Sequence, residues 1–329
     1  MKVLITGGAG FLGRRLAAKL LERATLKGSD GTERKIDQLL LVDVVQATQL
    51  DDKRARSIVG DISDPDFLVR VLDTDIHSIF HLAAIVSGQA EADFDLGMRI
   101  NADASRRLLD ICRTLGHQPK VVFASSVAVY GGDLPEVVVD TTAVTPQSSY
   151  GTQKAMIELL VNDYSRKRFI DGRVLRLPTI SVRPGRPNAA ASSFASGIIR
   201  EPLNGEEAIC PVSADTRLWL LSPQTVIESL IFGHDIDAAA LGVNRNVNLP
   251  GLSITVREMV AALERVAGPE AVKRIRWESD ARIERLVSTW PGHLDTAKAN
   301  TLGFPRDEDF ELVIRQYVRD ELAGRLDSR

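Results

Sequence analysis

The chain has 329 residues, of which 44% are hydrophobic and 26% are charged. This composition is typical of folded globular proteins and excludes disordered, collagen-like and coiled-coil chains. The formal net charge of -3 argues against nucleic acid as a partner. No apolar run reaches the ~20 residues that span a bilayer, and glycines interrupt the first apolar segment where a signal peptide needs a continuous one. We therefore expect a cytoplasmic protein with no membrane partner.

Cysteine and histidine indicate neither a disulfide scaffold nor a metal site. Cys112 and Cys210 are the two cysteines of the sequence. The sequence has no Cys-x-x-Cys motif, and no pair among the 5 histidines has the spacing of metal ligands. We therefore predict no bound metal.

Short apolar segments alternate with segments of helical periodicity through the first half of the chain. In chain order, the apolar segments are KVLIT, LLLVDV, SIVGD, SIFHLAA, KVVFASS and, at residues 172–178, GRVLRLP. Continuous runs of Val, Ile and Leu indicate strands that are buried on both faces, and the intervening helices supply the crossovers that parallel strands require. The pattern predicts an α/β fold with a doubly wound parallel sheet.

The sequence changes in character after Pro184, where Pro, Gly, Ala and Ser become frequent and the alternation of strands and helices becomes irregular. We predict that residues 1–180 form the sheet domain and that residues 181–329 mainly form a smaller C-terminal lobe for the substrate. Strand and helix segments near residues 217–250 are expected to return to the sheet domain. Further helices are predicted at about 255–267 and 307–324.

A glycine-rich segment, TGGAGFLG, follows the first predicted strand and places Gly7, Gly10 and Gly13 at the junction with a helix. Glycines at this spacing allow a tight turn, a close approach of backbone N–H groups to a pyrophosphate, and close packing of the helix. Phe11 and Leu12 lie in the same turn. We predict the phosphate-binding loop of a dinucleotide site in a Rossmann domain, the alternative being a glycine-rich turn without a ligand.

Asp43 ends the second predicted strand, where a carboxylate can accept the ribose hydroxyls of NAD and repel the 2′-phosphate of NADP. It follows Gly13 by 43 − 13 = 30 residues rather than by ~20, so we predict an inserted surface loop over residues 25–37. NAD is therefore the predicted cofactor, unless Asp43 is only a solvated acid. Asp61 and Ile62 follow the third strand and are candidates to flank the adenine, although Asp61 is nearly as well suited to cap a helix.

Tyr150 and Lys154 lie four residues apart in a helix predicted to begin near Ser149, so their side chains share a face. A phenol has a reference pKa of about 10, and a nearby ammonium together with an oxidised nicotinamide favours the phenolate. Tyr150 is therefore a candidate proton acceptor, and Lys154 can also bond the nicotinamide ribose. Ser125 and Ser126 end the strand KVVFASS, where ligands of open sheets bind. Either serine can orient a substrate oxygen, or satisfy backbone groups instead.

Several of these motifs occur together and in the order typical of one family. They are TGGAGFLG, Asp43, HLAA at 81–84, SSVAVYG at 125–131, YGTQK at 150–154 and LDTAKANTLGF at 294–304. The chain resembles the extended short-chain dehydrogenases/reductases of the NAD-dependent epimerase/dehydratase family, nearly from end to end. The resemblance implies a catalytic Ser126, Tyr150 and Lys154.

The same resemblance implies further residues around the cofactor and a homodimer. Ala83 of the HLAA segment, Asn101 in the long helix after it and Pro178 after the sixth strand match family positions near the nicotinamide or in the framework of the active site. The family also implies a homodimer that forms through the helices at roughly 90–115 and 149–168.

Two departures from the family pattern bear on the substrate. Val127 and Ala128 replace the acid pair of nucleotide-sugar dehydratases, which removes their proton shuttle. SVRPGRPN at residues 181–188 replaces the Asn-x-Tyr-Gly-Pro segment of sugar-nucleotide epimerases. The overall pattern resembles a branch of the family that oxidises a small sugar acid at its C2 hydroxyl, and we expect a four-carbon aldonate.

An aldonate needs a cation for its carboxylate and polar partners for its hydroxyls. Arg217 is the first candidate, because TRLWLLS resembles the segment with which related uronate dehydrogenases hold a carboxylate and because a guanidinium can do so through two hydrogen bonds. Arg183 and Arg186 are further candidates, and Ser87 can reach substrate hydroxyls. Each arginine is alternatively a surface charge, and Ser87 a plain loop residue.

Two other functions stay open at this point. A sugar-nucleotide 4-epimerase would produce no net NADH, because the hydride returns to the substrate. A redox-sensing protein that binds NAD without catalysis is the second alternative. The presence of both Tyr150 and Lys154 argues against the sensing protein, because relatives of that kind commonly lack the pair.

Overall fold

A computed structural model describes residues 1–48, 51–185 and 191–324. The strands are β1 (Lys2–Thr6), β2 (Thr25–Lys27), β3 (Glu33–Lys35), β4 (Gln38–Asp43), β5 (Ala55–Val59), β6 (Ile76–His81), β7 (Lys120–Ser126), β8 (Asp171–Leu177), β9 (Thr179–Ile180), β10 (Ala208–Cys210), β11 (Arg217–Leu221), β12 (Asn246–Asn248), β13 (Leu252–Thr255) and β14 (Ile275–Trp277).

The helices are α1 (Phe11–Arg23), α2 (Pro65–Val71), α3 (Ser87–Ala92), α4 (Phe94–Gly97), α5 (Ser105–Leu115), α6 (Ser149–Arg166), α7 (Phe194–Leu203), α8 (Pro223–Asp235), α9 (Ala238–Leu241), α10 (Val256–Ala267), α11 (Pro269–Val272), α12 (Ala281–Val287), α13 (Ala297–Leu302) and α14 (Phe310–Glu321). Short 3₁₀ turns cover Val127–Val129 and Ala191–Ser193, and a π-helical segment covers Met98–Ala104.

The main sheet has seven strands in the order β12-β8-β7-β6-β1-β4-β5. The pairs of β1 with β4 and β6, of β4 with β5 and of β6 with β7 are parallel. The chain moves outward from β1 in one direction through β4 and β5, and in the other direction from β6 onward. Open sheets of this kind bind ligands where the strand order reverses, beyond the carboxyl ends of the strands. This point lies between β1 and β6.

The two faces of this sheet are both covered. Leu4, Leu40 and Val121 lie in a buried core with residues of α2, α5 and α6. The alternate residues Leu39 and Leu41 are also buried and point to the opposite face, and α1 contacts β1 and β4. A parallel sheet with helices on both faces confirms the predicted doubly wound α/β fold.

The described chain divides into two compact units. The first unit comprises Met1–Val129, Ser148–Arg176 and Ile227–Val247, and the second comprises Tyr130–Gln147, Leu177–Val226 and Asn248–Arg329. The first unit contains nearly all of the main sheet. Each unit is therefore assembled from segments that are separated in sequence.

This division differs in two places from the boundary predicted at residue 180. Residues 130–147 group with the second unit, where Val138 forms a β-bridge with Leu294 and the Tyr130 hydroxyl donates a 3.0 Å hydrogen bond to Asn248 Oδ1. Within the region 217–250, residues 227–247 group with the first unit, whereas β11 does not. A loop that follows a sheet strand has no periodicity of its own, so its partners could not be inferred from the sequence.

The second unit has its own core and a small sheet. Phe194, Ile198, Met259 and Ile314 are buried together in a cluster built mainly from α7, α10 and α14. The sheet has the order β13-β11-β9, in which β11 is antiparallel to β13 and parallel to β9. This arrangement places Arg217 at the first position of β11.

Three local features refine the predicted elements. Residues 25–37, predicted as a surface loop, contain an antiparallel hairpin of β2 and β3. The helix predicted to begin near Ser149 does begin there, with Ser148 as its N-cap. The helix predicted at 307–324 is shorter in the structure, where α14 covers Phe310–Glu321. In the described ranges 1–48, 51–185 and 191–324, no helix combines the length and the apolar character needed to cross a bilayer.

Candidate active site

Gly7, Gly10 and Gly13 form the turn from β1 into α1. Gly7 has a φ of 72°, and a Cβ atom at this position would lie 2.9 Å from the backbone nitrogen of Ala83. A Cβ at Gly13 would lie 2.2 Å from the carbonyl oxygen of Gly7. Gly10 is the N-cap of α1, and no side chain in the described part of the protein caps this helix. The first-turn N–H groups can therefore receive a phosphate, and the loop fits a dinucleotide.

Phe11 and Leu12 occupy the first two positions of α1 and are both half-buried. The guanidinium carbon of Arg15 lies 5.0 Å from the centroid of the Phe11 ring. The two residues thus lie directly beside the glycine turn.

Asp43 is the last residue of β4, and its carboxylate faces the glycine turn. Its Oδ2 accepts a hydrogen bond of 3.0 Å from the backbone N–H of Ala9, and its Oδ1 accepts one of 2.8 Å from the N–H of Val44. Each carboxylate oxygen has a further lone pair available for a hydroxyl. The side chain is therefore placed by the backbone in an orientation that fits a ribose diol.

The candidates after β5 and β6 differ in their surroundings. Asp61 is exposed and its Oδ1 accepts the N–H of Ser63 at 2.8 Å, whereas Asp64 caps α2. Ile62 is buried in the core of the first unit. The N–H of Ala83 donates a 3.2 Å bond to the Thr6 hydroxyl. Ala83 also lies beside Gly7, so the loops after β1 and β6 meet at the reversal point of the sheet.

Tyr150 and Lys154 lie together on the first turns of α6, as predicted. Lys154 is buried, with 3% of its surface exposed, and its Nζ donates a 2.8 Å hydrogen bond to the carbonyl oxygen of Ala124 on β7. The same Nζ lies 5.6 Å from the centroid of the half-buried Tyr150 ring and 4.6 Å from that of Phe123. The ammonium is thus held beside the phenol by contacts with a strand.

Burial lowers the pKa of Lys154 to about 8, while the charge of Glu158 acts in the opposite direction. A pKa of about 8 leaves most of the Lys154 side chains charged at neutral pH. The ammonium can therefore stabilise a negative charge on the neighbouring phenol oxygen.

Ser125 and Ser126, at the end of β7, have different environments. Ser125 is buried and its hydroxyl donates a 2.5 Å hydrogen bond to Glu158 Oε1. Ser126 is half-buried, and its Oγ accepts the N–H of Ala128 at 3.1 Å. That bond uses a lone pair of Ser126 and leaves its hydrogen for another acceptor. Ser126 is therefore the better placed of the two to bond a substrate oxygen.

His81, at the end of β6, is a buried neighbour of the candidate site to which the sequence analysis gave no role. Its Nδ1 lies 2.6 Å from Thr6 Oγ1, and its Nε2 lies 2.8 Å from Ser105 Oγ, which donates to the carbonyl of Asn101 at 2.7 Å. Burial, and then the charge of Lys154, lower the pKa of His81 to about 3, so the ring is neutral. A histidine in an apolar strand looks like an ordinary core residue, and the HLAA motif that begins with His81 did not indicate a role for its side chain.

Asn101 lies in the π-helical segment and holds the loop after β6. Its Oδ1 accepts the N–H of Ile85 at 2.9 Å, and its Nδ2 donates to the carbonyl of Ile85 at 3.2 Å and to Gln153 Oε1 at 2.8 Å. π-Helical turns are rare and are frequent at functional sites. The side chain thus ties this loop to α6, next to Lys154.

The predicted substrate residues lie on different parts of the chain. Ser87 is half-buried and begins α3 in the first unit. The second unit contains Pro178, which is buried after β8, and Arg217, which is exposed, with Nη1 3.4 Å from both oxygen atoms of Ser253. The backbone of Arg183 in this unit bonds to α7. Arg186 lies outside the described residues.

The family model described as "NAD dependent epimerase/dehydratase family" matches residues 3–220, which include the glycine turn, Asp43 and the Tyr150–Lys154 pair. The chain belongs to this family. NAD is accordingly its cofactor.

Two curated relatives match almost the whole chain. A D-erythronate dehydrogenase from Cupriavidus necator is 60% identical over 97% of this chain and 98% of its own length. A D-erythronate dehydrogenase from Haemophilus influenzae is 47% identical over 98% of this chain and 100% of its own length. Among solved structures, a nucleoside-diphosphate-sugar epimerase from Agrobacterium tumefaciens is 43% identical, with a TM-score of 0.94 over 99% of this chain and 96% of that protein.

Proposed function

We propose that this protein is an NAD-dependent D-erythronate dehydrogenase, which oxidises the C2 hydroxyl of D-erythronate and yields 2-dehydro-D-erythronate. The observation that carries the choice of substrate is the 60% identity, over nearly the full length, to a protein of that name. The arrangement of Tyr150 and Lys154 supports the oxidation chemistry, because it provides a proton acceptor beside a buried cation.

The residues of the first unit have the shape and the donors that NAD needs. Gly7, Gly10 and Gly13 leave the space that Cβ atoms would fill and expose the N–H groups of α1 to the pyrophosphate. The Asp43 carboxylate would accept the adenosine ribose hydroxyls. When bound, NAD accepts the hydride that leaves C2 of the substrate.

Tyr150 would take the proton of the C2 hydroxyl as the carbonyl forms. The Lys154 ammonium stabilises the phenolate electrostatically, since its Nζ lies close to the Tyr150 ring in a buried environment. Ser126 would donate its hydroxyl hydrogen to the same substrate oxygen and hold it toward Tyr150. The three side chains therefore have separate tasks: proton acceptance, charge stabilisation and orientation.

The carboxylate of the acid would be bound by Arg217. Its guanidinium is exposed and makes contacts of only 3.4 Å with Ser253, so these bonds can be exchanged for shorter, charge-assisted ones. We also propose Arg183 and Ser87 as partners of the substrate, the latter for a hydroxyl group.

A second candidate function, epimerisation of a nucleotide sugar, is favoured by the name of the Agrobacterium structure. The sequence argues against it, because SVRPGRPN at 181–188 replaces the segment that is usual in such epimerases. The relatives with the higher identities of 60% and 47% also carry the dehydrogenase name. We therefore treat epimerisation as the alternative that the experiment must reject.

The test is a spectrophotometric assay of the purified protein with NAD and D-erythronate, in which NADH formation is followed by its near-ultraviolet absorbance. Other C4 to C6 aldonates and uronates serve as the specificity panel, and UDP-glucose is the epimerase control. We expect NADH with D-erythronate and the highest kcat/KM for this acid. Conversion of UDP-glucose to its 4-epimer without net NADH, together with no oxidation of any sugar acid, would establish the alternative.

We further propose a homodimer through the helices at roughly 90–115 and 149–168. On α6, Met156 and Leu159 lie one turn apart and expose 42% and 69% of their surface. Such exposed apolar side chains favour burial against a second copy. Light scattering coupled to size-exclusion chromatography should give the mass of a dimer, and Leu159→Glu should give a monomer.

The cytoplasm is the proposed location. Cys112 and Cys210 are both free and buried, which is common in a reducing compartment. Fractionation of a producing cell, with detection of the protein in the soluble cytoplasmic fraction, tests this proposal.

A further inference from the structure

Glu158 lies on α6 and is buried, with 2% of its surface exposed. Arg176 on β8 makes a bidentate pair with this carboxylate: Nε lies 2.9 Å from Oε1, and Nη2 lies 2.6 Å from Oε2. Ser125 on β7 donates a third bond, of 2.5 Å, and Asn246 on β12 donates a fourth, of 3.2 Å. One carboxylate thus connects α6 to three neighbouring strands.

These contacts surround the Glu158 carboxylate with donors and pair it with a cation. A buried carboxylate is stable as an anion when a cation and further donors surround it. Arg176 supplies a permanent charge in a two-bond arrangement, and the hydroxyl of Ser125 and the amide of Asn246 supply neutral donors. Glu158 therefore provides a fixed negative charge inside the first unit.

This charge lies next to the catalytic pair. Glu158 follows Lys154 by one helical turn, so the two side chains share a face of α6. On β7, Ala124 accepts the hydrogen bond of Lys154 Nζ, and the next residue, Ser125, donates to Glu158. Ser126 follows directly. The carboxylate therefore anchors the stretch of strand that places both the ammonium and the catalytic serine.

We propose that Glu158 is a positioning residue of the active site, which keeps the buried Lys154 side chain charged and fixed beside Tyr150. This inference rests on the proposed function only in taking Tyr150 and Lys154 as the catalytic pair.

The surroundings of Lys154 support this role. The titratable groups that face it are Tyr150 and Glu158 from α6 and His81 from β6, and His81 is neutral. From β7 it meets the ring of Phe123 and a backbone carbonyl. Burial disfavours the ammonium, and the charge of Glu158 is the influence that opposes burial. Without that charge, a smaller fraction of Lys154 would be protonated at neutral pH.

A purely structural role for Glu158 makes a different prediction. In that case its removal would lower the stability and reduce kcat at every pH by the same factor. It would leave the protonation of Lys154 unchanged. The protonation equilibrium of Lys154 therefore separates the two roles.

The experiment compares the titration of Lys154 in the wild type and in Glu158→Gln by NMR of ¹³C-labelled lysine, with the signal assigned through Lys154→Arg. We expect the pKa of Lys154 to fall by about one unit in Glu158→Gln. The basic limb of the pH profile of kcat/KM should move to lower pH by a similar amount. Glu158→Asp keeps the charge and should restore both values.

Ser125→Ala is the matched control, because it removes a hydrogen bond from the carboxylate and leaves the charge in place. We expect the pKa of Lys154 in this variant to stay near the wild-type value. A shift in Ser125→Ala as large as that in Glu158→Gln would assign the effect to the strand contact and overturn the role of the charge.

Glu158→Gln leaves the Arg176 guanidinium buried without its carboxylate, which can prevent folding. The double variant Glu158→Gln with Arg176→Gln removes both charges and keeps the measurement possible. An unchanged titration of Lys154 in folded Glu158→Gln would overturn the proposal. Equal titrations of Lys154 in the double variant and in Arg176→Gln, which differ only in the charge of Glu158, would also overturn it. The NMR titration needs no substrate, so a wild-type protein that fails to oxidise D-erythronate would reject the proposed function without affecting this result.

Discussion

The carbonyl oxygen of Ala124 accepts a 2.8 Å hydrogen bond from Nζ of Lys154. This bond joins α6, which carries the proposed catalytic pair Tyr150 and Lys154, to the strand that ends in Ser126. Lys154 is buried, so moving its ammonium away from the Ala124 carbonyl would leave a buried charge without this hydrogen bond and would cost free energy. The ammonium is thus already held in place beside Tyr150 by the protein itself.

Tyr150→Phe removes the hydroxyl of the proposed proton acceptor and leaves the ring. We expect turnover to fall by roughly a hundredfold to ten-thousandfold, with NAD binding retained, as measured by NADH formation and by calorimetric titration with NAD. Tyr164→Phe is the matched control, since Tyr164 lies on the same helix and bonds to Asp110 away from the catalytic pair. Near-normal turnover of Tyr150→Phe would remove Tyr150 from the mechanism.

Gly13→Ala places a methyl group 2.2 Å from the carbonyl oxygen of Gly7, so the glycine turn proposed to bind the phosphates must shift. We expect the Kd for NAD to rise by about fivefold to 150-fold, because overpacking of this kind costs about 1–3 kcal/mol. In Gly197→Ala the added methyl group meets its nearest atom, Glu201 Oε1, at 3.5 Å and should leave the Kd unchanged. Equal affinities in both variants would contradict the assignment of the glycine turn.

Arg217→Gln removes the cation proposed to bind the substrate carboxylate. We expect kcat/KM for the sugar acid to fall by about tenfold to a hundredfold, the value of a charged hydrogen bond of about 1.5–3 kcal/mol. The KM for NAD should stay the same. Arg257→Gln is the control, because Arg257 is exposed and pairs with the exposed Asp215. A loss in Arg257→Gln equal to that in Arg217→Gln would indicate a general effect of surface charge.

Two buried histidines should make the fold sensitive to acid. Burial lowers the pKa of His81 to about 3 and that of His234 to about 4, from 6.5. Between these values and 6.5 the unfolded chain binds protons that the folded chain does not, so stability falls as the pH falls. Each histidine should remove about 2 kcal/mol of unfolding free energy between pH 7 and pH 5.

Urea unfolding of the wild type and of His81→Gln at these two pH values measures the contribution of His81. The variant cannot take up the proton, so its unfolding free energy should change by about 2 kcal/mol less than that of the wild type. The same pH dependence in both proteins would show that His81 is not kept neutral by the fold.

The sheet and the placement of Tyr150 beside Lys154 could be predicted from the sequence because their signals are local. The glycines at 7, 10 and 13 serve a single turn, and Tyr150 and Lys154 are related by one helical turn. Buried parallel strands can also be recognised in the sequence as uninterrupted apolar runs. These are the features for which neighbours in sequence are neighbours in space.

The support beneath the site could not be predicted in this way. Glu158 meets Ser125, Arg176 and Asn246, which are brought together only by the order of the strands β7, β8 and β12. A charged residue in a helix is usually exposed to solvent, so the burial of Glu158 could not be predicted from the sequence. The hydrogen-bond partners of His81, Thr6 on β1 and Ser105 on α5, are likewise brought to it by the fold and not by the sequence.

The first unit is built from three stretches of chain, the last of which is Ile227–Val247. Synthesis by the ribosome must therefore proceed through about three quarters of the 329 residues before the strand β12 can be added to the edge of the main sheet. A nascent chain that ends near residue 180 would expose the edge of β8 to aggregation. Folding of the first unit should accordingly finish late, and truncated forms of this protein should depend on chaperones.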